Sequence, residues 1–305
     1  MKVFILAPNE SWICDRFANE WKSNNPKIST NDIEKSDIVW LLGSWCWKNI
    51  PYNILRNKKV ITTIHHLVPE KFSRDKQFDF LVRDQITDAY HVPSKKTREQ
   101  IALLTEKPIY DFPFWVNQNL WHEIKNTSSL RKKYNIEDDE FVVGSFQRDT
   151  EGHDLKSPKL EKGPDLFCNA IENMFRENKN ISVLLAGWRR QYVMSRLDKA
   201  KIPYRYFELP DFETLNELYN CLDLYLVTSR YEGGPQSILE CAANKTPIIS
   251  TDVGIAPEIL SENSIMKPNH NAFPDIEIAN KNVQDLLIPS GFDKFISMFK
   301  EINEK

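Results

Sequence analysis

The sequence predicts an α/β protein built from two doubly wound domains. Short apolar runs, each closed by turn or polar residues, alternate with amphipathic stretches of helical length. Such runs are typical of strands that are buried on both faces in parallel sheets. They fall into two series, which a polar, lysine-rich segment at 123–139 separates. Repeated alternation of strand and helix within each series indicates a doubly wound architecture.

The first series occupies the N-terminal part of the chain. Its predicted strands are Val3–Ala7, Asp37–Leu42, Val60–Ile64 and Ala89–Val92, and its predicted helices are Asp15–Ser23 and Lys95–Leu104. Parallel strands need crossover connections, which are usually helices, so these stretches have the expected place in the chain.

The second series begins after the polar segment. Its predicted strands are Phe141–Phe146, Ile181–Ala186, Tyr204–Leu209, Leu224–Thr228 and Pro247–Thr251. Its predicted helices are Pro164–Glu177, Arg189–Ala200, Glu213–Cys221 and Gln236–Ala243. We therefore predict domains at 1–124 and 125–285, followed by a C-terminal segment at 286–305. That segment has apolar residues at helical spacing over Phe292–Ile302, which allows either packing on a domain or contact with a membrane surface.

Bulk properties exclude several classes of protein. The net charge of −3 argues against a nucleic-acid partner, which usually requires a basic domain. No apolar run approaches the roughly 20 residues of a transmembrane helix, and the apolar N-terminus reads as a first buried strand, not a signal peptide. The five cysteines are scattered without a C-x-x-C pair, so we expect neither disulfides nor zinc, and a cytoplasmic location.

The loop after Leu224–Thr228 carries the most informative pattern, Ser-Arg-Tyr-Glu-Gly-Gly-Pro-Gln-Ser-Ile-Leu-Glu over 229–240. Ligands of open α/β sheets bind beyond the carboxyl ends of the strands. A helix starting near Pro235 would point free N–H groups and its positive end at an anion such as a diphosphate. Glu232 and Glu240 could then hold hydroxyls at the two ends of a nucleotide sugar. Spacing alone still favours a solvated loop charge at Glu232 and a solvated helix residue at Glu240.

The stretch 219–260 resembles the retaining glycosyltransferases of family four. It has Thr-Ser at 228–229, two glutamates separated by seven residues at 232 and 240, and Asp-Val-Gly at 252–254, which is the order of that family's signature. The family's fold, GT-B, consists of two facing Rossmann-like domains with a cleft between them. The resemblance therefore implies an acceptor-side domain at 1–124 and a nucleotide-sugar donor domain at 125–285, with the C-terminal helix packing back on the former.

The resemblance also implies residue roles. Glu240 matches the glutamate that binds the ribose hydroxyls, and Glu232 matches the one that hydrogen-bonds the donor sugar. Gly233 and Gly234 match backbone contacts to sugar and phosphate, whereas Pro235 departs from a frequent glycine and removes one N–H donor. The full donor-binding set is Gly144, Gly233, Gly234, Pro235, Gln236 and Glu240.

Two cations complete the implied donor site. Arg148, just after the first strand of the donor domain, and Lys162, just before the helix that starts at Pro164, match an arginine and a lysine that hold the diphosphate. The family spaces this pair more closely. In this chain an insertion at 149–160 separates the two residues, and it carries Lys156 and Lys159. Either of these lysines is an alternative phosphate ligand. Cations are needed because the leaving diphosphate gains charge as the glycosidic bond breaks.

The N-terminal part offers two weaker sites. Thr63-Ile-His65 resembles the family's Thr-x-His, whose histidine faces the donor sugar, although a structural histidine is an equal alternative. Most tryptophans lie in this part, and core packing explains most of them, Trp40 in particular. Trp45 and Trp47 follow a strand and alternate, so in an extended loop they would point the same way and form an acceptor platform.

By resemblance, the reaction is transfer of a hexosyl-like group with retention, without a carboxylate nucleophile, cofactor or metal. The expected partners are a nucleotide sugar and a carbohydrate or lipid-linked acceptor, with peripheral contact at the inner face of the membrane allowed. Two alternatives stay open: a GT-B nucleotide-sugar epimerase, which needs no acceptor, and a non-catalytic nucleotide-sugar-binding protein.

Overall fold

The computed structural model describes residues 1–10, 13–268 and 271–305. The chain divides into two compact units, one made of 1–115 with 288–305 and the other of 116–287. Each unit contains one six-stranded sheet in which neighbouring strands pair in parallel. The prediction of two doubly wound α/β domains is therefore confirmed.

Numbered in chain order, the strands of the first unit are Val3–Leu6 (β1), Ser29–Thr30 (β2), Ile38–Leu41 (β3), Lys59–Thr63 (β4), Ala89–Val92 (β5) and Ile109–Asp111 (β6). Their order in the sheet is β2-β1-β3-β4-β5-β6. Its helices are Ile13–Asn24 (α1), Tyr52–Leu55 (α2), Arg74–Asp84 (α3), Lys95–Ile101 (α4) and Asp293–Glu304 (α12). The apolar-run criterion found every strand except the two short edge strands β2 and β6, which have few apolar residues.

The C-terminal helix α12 belongs to the core of this first unit. Its aromatic side chains pack on tryptophans of the N-terminal part, with ring centroids of Phe299 and Trp21 5.2 Å apart and those of Phe295 and Trp40 5.3 Å apart. All four rings are fully buried. Since each large aromatic side chain buries some 150–250 Å², this cluster is a major part of the apolar core.

The second unit has the strand order β12-β11-β10-β7-β8-β9. Its strands are Phe141–Ser145 (β7), Ile181–Ala186 (β8), Tyr204–Phe207 (β9), Leu224–Val227 (β10), Ile248–Thr251 (β11) and Ile265–Met266 (β12). Its helices are Thr127–Lys133 (α5), Pro164–Glu177 (α6), Gln191–Ala200 (α7), Phe212–Asn220 (α8), Gln236–Asn244 (α9), Ala256–Ile259 (α10) and Ile276–Val283 (α11). The sequence predicted every strand of this unit except the two-residue β12.

The polar segment at 123–139, which separates the two series of elements in the sequence, lies within the second unit. It contains helix α5, and its start is bonded to α8 through the backbone N–H of Ile124, which donates to Asn220 Oδ1 at 2.8 Å. Trp121, just upstream, is fully buried in the core of the second unit. The chain passes from one compact unit to the other at 115/116 and 287/288, whereas the sequence predicts the boundaries at 124/125 and 285/286.

Candidate functional site

The loops after β7, β8, β10 and β11 lie at one edge of the second sheet. These strands are neighbours and parallel, so their carboxyl ends meet there. Two of these loops lead into helices: α9 begins at Gln236 after the β10 loop, and α6 begins at Pro164 after the β7 loop. This edge therefore gathers the segments that the sequence marked as donor-binding.

Two glycines with left-handed backbone allow the β10 loop to pack tightly between its neighbours. A β-carbon on Gly163, with φ 61°, would lie 1.8 Å from the carbonyl oxygen of Thr228. One on Gly254, with φ 48°, would lie 2.1 Å from the carbonyl oxygen of Gly233. Any other residue at either position would displace the loop. The close packing fixes the backbone around Glu232.

Glu232 forms an ion pair with Lys162, whose Nζ contacts Glu232 Oε1. The hydroxyl of Ser229 also donates to this carboxylate, at 3.4 Å. The two charged side chains are 20% and 11% exposed, so the pair is largely shielded but still reachable from solvent. Gln147 fixes the lysine's backbone, because its Nε2 donates to the carbonyl of Lys162 at 2.8 Å. Residues 70 positions apart in the chain are thus joined at one point.

Arg148 lies at the same edge, in the loop after β7. Its Nε donates to the carbonyl of Thr150 at 2.7 Å, and its guanidinium carbon lies 5.3 Å from the ring centroid of Trp188. Burial and the neighbouring charge of Arg189 lower the pKa of Arg148. An arginine stays protonated all the same, so Arg148 is a partly desolvated cation beside a second cation, and Glu151 and Glu161 offset the lowering only in part.

The insertion at 149–160 folds as a small antiparallel turn, with Thr150 bridged to Pro158. Its two lysines have different environments. Lys156 is exposed, whereas Nζ of Lys159 lies 3.7 Å from Glu161 Oε1. Burial lowers the pKa of Lys159, and the positive charges of Lys162 and Arg148 lower it further. The carboxylates of Glu161 and Glu232 act in the opposite direction. The fold therefore brings Lys159, not Lys156, near the cations Arg148 and Lys162.

A buried ion pair that sequence reasoning missed holds this insertion to the sheet. Arg190 is 1% exposed, and its Nε donates to Asp149 Oδ2 at 3.0 Å. Its Nη1 donates to the carbonyls of Ser145 and Ala186, at the ends of β7 and β8. The two residues are 41 positions apart and have no shared motif, so nothing in the sequence pairs them.

Glu240 is buried inside α9, with 6% exposure, and accepts a hydrogen bond from the Tyr219 hydroxyl to Oε2 at 2.9 Å. The solvated-helix interpretation, which spacing favoured, is therefore wrong for this residue. Burial and the nearby Glu240 hold the pKa of Tyr219 well above its usual range, so the phenol remains a donor. Sequence reasoning did not single out Tyr219 as the partner.

The start of α9 is shaped by Gly233, Gly234 and Pro235. Pro235 precedes the helix with φ −55°, and its carbonyl accepts the N–H of Ile238 at 3.0 Å. Gln236 donates from Nε2 to the carbonyl of Gly234 at 3.3 Å, and its buried Oε1 has no hydrogen-bond partner among the described residues.

Gly144 has a packing reason for being glycine. It lies within β7, and a β-carbon there would be 2.3 Å from Leu222 Cδ1. This packing against the interior of the unit accounts for the residue without a ligand. Its predicted contact with the donor stays a prediction.

The residues predicted in the N-terminal part lie in the first unit. His65 Nε2 lies 2.9 Å from the carbonyl of Leu42, and since a carbonyl only accepts, this nitrogen carries the proton. The ring is stacked on Phe114, with centroids 5.8 Å apart, and lies 6.2 Å from the ring of Trp45. His65 and Trp45 are therefore together, whereas the predicted role of either in binding stays a prediction.

The two-ring platform predicted from Trp45 and Trp47 is wrong. Residues Ser44–Asn49 form a 3₁₀ helix, not an extended strand, so alternate residues do not share a face. Trp45 is 52% exposed, whereas Trp47 is 9% exposed and packs into a core cluster with Leu55 and Val60. The tight turn directs one ring to solvent and the other to the interior.

Part of the second unit is similar to a known protein family. Residues 155–284 match the family model described as glycosyl transferases group 1. The lipopolysaccharide core biosynthesis mannosyltransferase LpsB of Rhizobium meliloti (strain 1021) is 25% identical over 111 residues, which is 34% of this chain. The match spans about a third, 32%, of LpsB.

Among solved structures, HepE of Anabaena in complex with UDP is similar over 100% of this chain and 98% of its own, at 15% identity and a TM-score of 0.68. HepE with UDP-glucose is similar over 99% and 96%, at 14% identity and a TM-score of 0.68. Sucrose-phosphate synthase of Thermosynechococcus elongatus covers 97% of this chain with 80% of its own, at 16% identity and a TM-score of 0.68. The chain has the GT-B fold. In the described part of the chain, no helix is long and apolar enough to cross a membrane.

Proposed function

We propose that this chain is a retaining glycosyltransferase that moves a sugar from a nucleoside-diphosphate sugar to a saccharide or another hydroxyl acceptor, in glycan or polysaccharide biosynthesis. The observation that carries the proposal is the meeting of Lys162 and Glu232 at the sheet edge, within the segment that is similar to group 1 glycosyltransferases. The names of LpsB, a mannosyltransferase, and of HepE bound to UDP-glucose support a sugar nucleotide as the donor.

The side chains at this edge suit a nucleotide sugar in their chemistry. Arg148 and Lys162 provide positive charge for the diphosphate, and the start of α9 adds backbone N–H groups. Glu232 accepts hydrogen bonds from hydroxyls of the donor sugar, in exchange for part of its contact with Lys162. Glu240, oriented by the Tyr219 hydroxyl, accepts from the ribose hydroxyls. We assign no metal to the reaction, because these cations can neutralise the leaving group.

In the proposed reaction, the bond from the anomeric carbon to the leaving diphosphate oxygen breaks, and a bond to the acceptor oxygen forms on the same face. The acceptor's proton passes to the leaving phosphate oxygen, so no carboxylate nucleophile is needed. The protein contributes positioning and stabilisation of the charge that develops on the diphosphate. We assign the protein to the cytoplasm, with peripheral contact at the inner face of the membrane. The acceptor is a saccharide or a lipid-linked hydroxyl, and the exposed ring of Trp45 is available for stacking on a sugar.

A donor panel tests the proposal. A thermal-shift screen of UDP, GDP and ADP, with their sugars, identifies the base, because a ligand that binds only the native state raises the melting temperature. The matching radiolabelled nucleotide sugar is then incubated with the protein, with and without simple saccharides. Transfer or slow hydrolysis supports a glycosyltransferase, and an axial or equatorial product linkage that matches the donor supports retention. Epimerised donor would favour the epimerase, and binding without turnover would favour a non-catalytic protein.

A further inference from the structure

Two arginines share one exposed indole at the carboxyl edge of the second sheet. The guanidinium carbons of Arg148 and Arg189 lie 5.3 Å and 5.1 Å from the ring centroid of Trp188. Trp188 follows the end of β8 and is 43% exposed. The indole face attracts each cation and keeps both near the predicted diphosphate site.

The two arginines form no close ion pair with a carboxylate in the described part of the chain. Among the described residues, neither guanidinium has a carboxylate within 4.0 Å. Their hydrogen bonds go to backbone carbonyls instead, from Arg148 to Thr150 and from Arg189 to Gly152. The Nε of Arg189 is buried without a hydrogen-bond partner in that same part of the chain. The two adjacent positive charges repel each other, and an anion bound to both would relieve that repulsion.

The surrounding backbone holds this arrangement in place. Arg189 adopts a left-handed conformation with φ 60°, which a residue with a β-carbon rarely adopts. Its carbonyl accepts the N–H of Asp149 at 3.1 Å and the hydroxyl of Thr150 at 3.2 Å. The buried pair of Asp149 with Arg190 joins the two loops that carry Arg148 and Trp188. The two guanidiniums are therefore presented from loops tied together by buried bonds.

We propose that Arg189 is a second guanidinium for the diphosphate of the nucleotide sugar, and that Trp188 is the positioning residue that holds Arg148 and Arg189 for it. The inference rests on the proposed function and deepens it, by adding a cation from the β8 loop to those of the β7 loop. A diphosphate carries several negative charges on adjacent phosphates, and a planar guanidinium suits each of them.

The test is calorimetric binding of inorganic pyrophosphate and of UDP to the full chain. Arg189→Gln is expected to weaken both ligands about tenfold, and to make their affinity less dependent on salt. Lys179→Gln is the matched control, because Lys179 lies over Phe175 at 4.4 Å, ahead of β8 and thus at the opposite end of that strand. The control should stay within about twofold of native.

The role of Trp188 is tested by a pair of substitutions. Trp188→Leu removes the π face and should raise the donor KM and lower kcat, whereas Trp188→Phe keeps a π face and should restore most of both. Phe175→Leu is the control for loss of an aromatic ring elsewhere in this unit. Melting temperatures should stay close to native for both Trp188 variants, because nearly half of the residue is exposed.

Several outcomes would overturn the inference. An Arg189→Gln protein that binds pyrophosphate and UDP as tightly as native contradicts the assigned contact, as does a native protein that binds neither. Equal kinetics for Trp188→Leu and Trp188→Phe remove the positioning role. If Arg189 proves necessary for pyrophosphate binding but no sugar is transferred, the inference stands and the proposed function fails. If transfer proceeds normally in Arg189→Gln, the function stands and the inference fails.

Discussion

Replacing Glu232 by glutamine should make the free nucleoside diphosphate bind more tightly while the sugar nucleotide binds more weakly. Glu232 and Lys162 form an ion pair with each other. A diphosphate that uses Lys162 must therefore compete with Glu232 for it. Removing the negative charge abolishes that competition, but it also removes the acceptor for the hydroxyls of the donor sugar.

The burial of the pair sets the magnitude. Exposed ion pairs contribute roughly 0.2–1 kcal/mol, and breaking a buried one costs roughly 3–5 kcal/mol. Lys162 and Glu232 are 20% and 11% exposed, and Lys162 keeps part of its solvation, so we expect about 1 kcal/mol to be released. Since 1.4 kcal/mol is a factor of ten, UDP should bind about fivefold more tightly to Glu232→Gln.

Calorimetry with UDP and UDP-glucose measures both effects. Glu232→Gln should bind UDP about fivefold more tightly and UDP-glucose about tenfold more weakly, since one charge-assisted hydrogen bond to the sugar is lost. Glu240→Gln should weaken both ligands, because its ribose contact is present in each. Glu172→Gln is the control, since Glu172 pairs with Arg196 within the same unit and outside the site.

The affinity of Glu232→Gln for UDP decides whether Glu232 competes with the diphosphate for Lys162. If Glu232→Gln weakens UDP as much as UDP-glucose, then Glu232 contacts the nucleotide and does not compete for Lys162. If the control changes UDP affinity to the same extent, then the effect is one of overall charge.

Four further predictions follow from named contacts. Arg148→Ala should lower kcat/KM for transfer about 10²-fold or more, near 3 kcal/mol, with an unchanged melting temperature, and normal turnover would exclude Arg148 from the reaction. Trp45→Ala should cost less than about 1 kcal/mol of stability, because the ring is half exposed, and should raise the acceptor KM with unchanged UDP affinity; normal acceptor kinetics would make the ring a bystander. Transfer should survive excess EDTA, and a loss of activity that Mg²⁺ or Mn²⁺ restores would contradict our assignment of the charge to arginine and lysine. Burial raises the pKa of Glu140, but hydrogen bonds from Arg205 and Ser182 outweigh it, so the pKa falls to about 2. The Glu140 carboxylate should therefore stabilise the fold above its ordinary pKa, and this stabilisation should be lost as the pH falls toward 2. In denaturation experiments at several pH values, Glu140→Gln should lose less stability in acid than the native protein.

The local sequence pattern was sufficient to predict most strands of the second unit. Strands buried on both faces read as continuous apolar runs, so β7 to β11 were predicted within a few residues. The short edge strands β2, β6 and β12 were missed because they have too few apolar residues to form a run. Helix α5 was missed because its residues are mostly polar. Its packing on α8 and its N-terminal cap, in which the N–H of Ser129 donates to Asn126 Oδ1, stabilise it instead.

The sequence by itself determined the α/β class, the donor-loop motif and the spacing of Glu232 and Glu240, because all of these are local along the chain. Only the tertiary structure decided which charges meet. Lys162 reaches Glu232 across 70 residues, and Arg190 reaches Asp149 across 41, in each case because parallel strands end at the same edge. It also decided that Glu240 is buried under Tyr219, and that Trp45 is exposed while Trp47 is buried. A side chain's burial and its partners depend on what the rest of the chain packs against it, which no local pattern records.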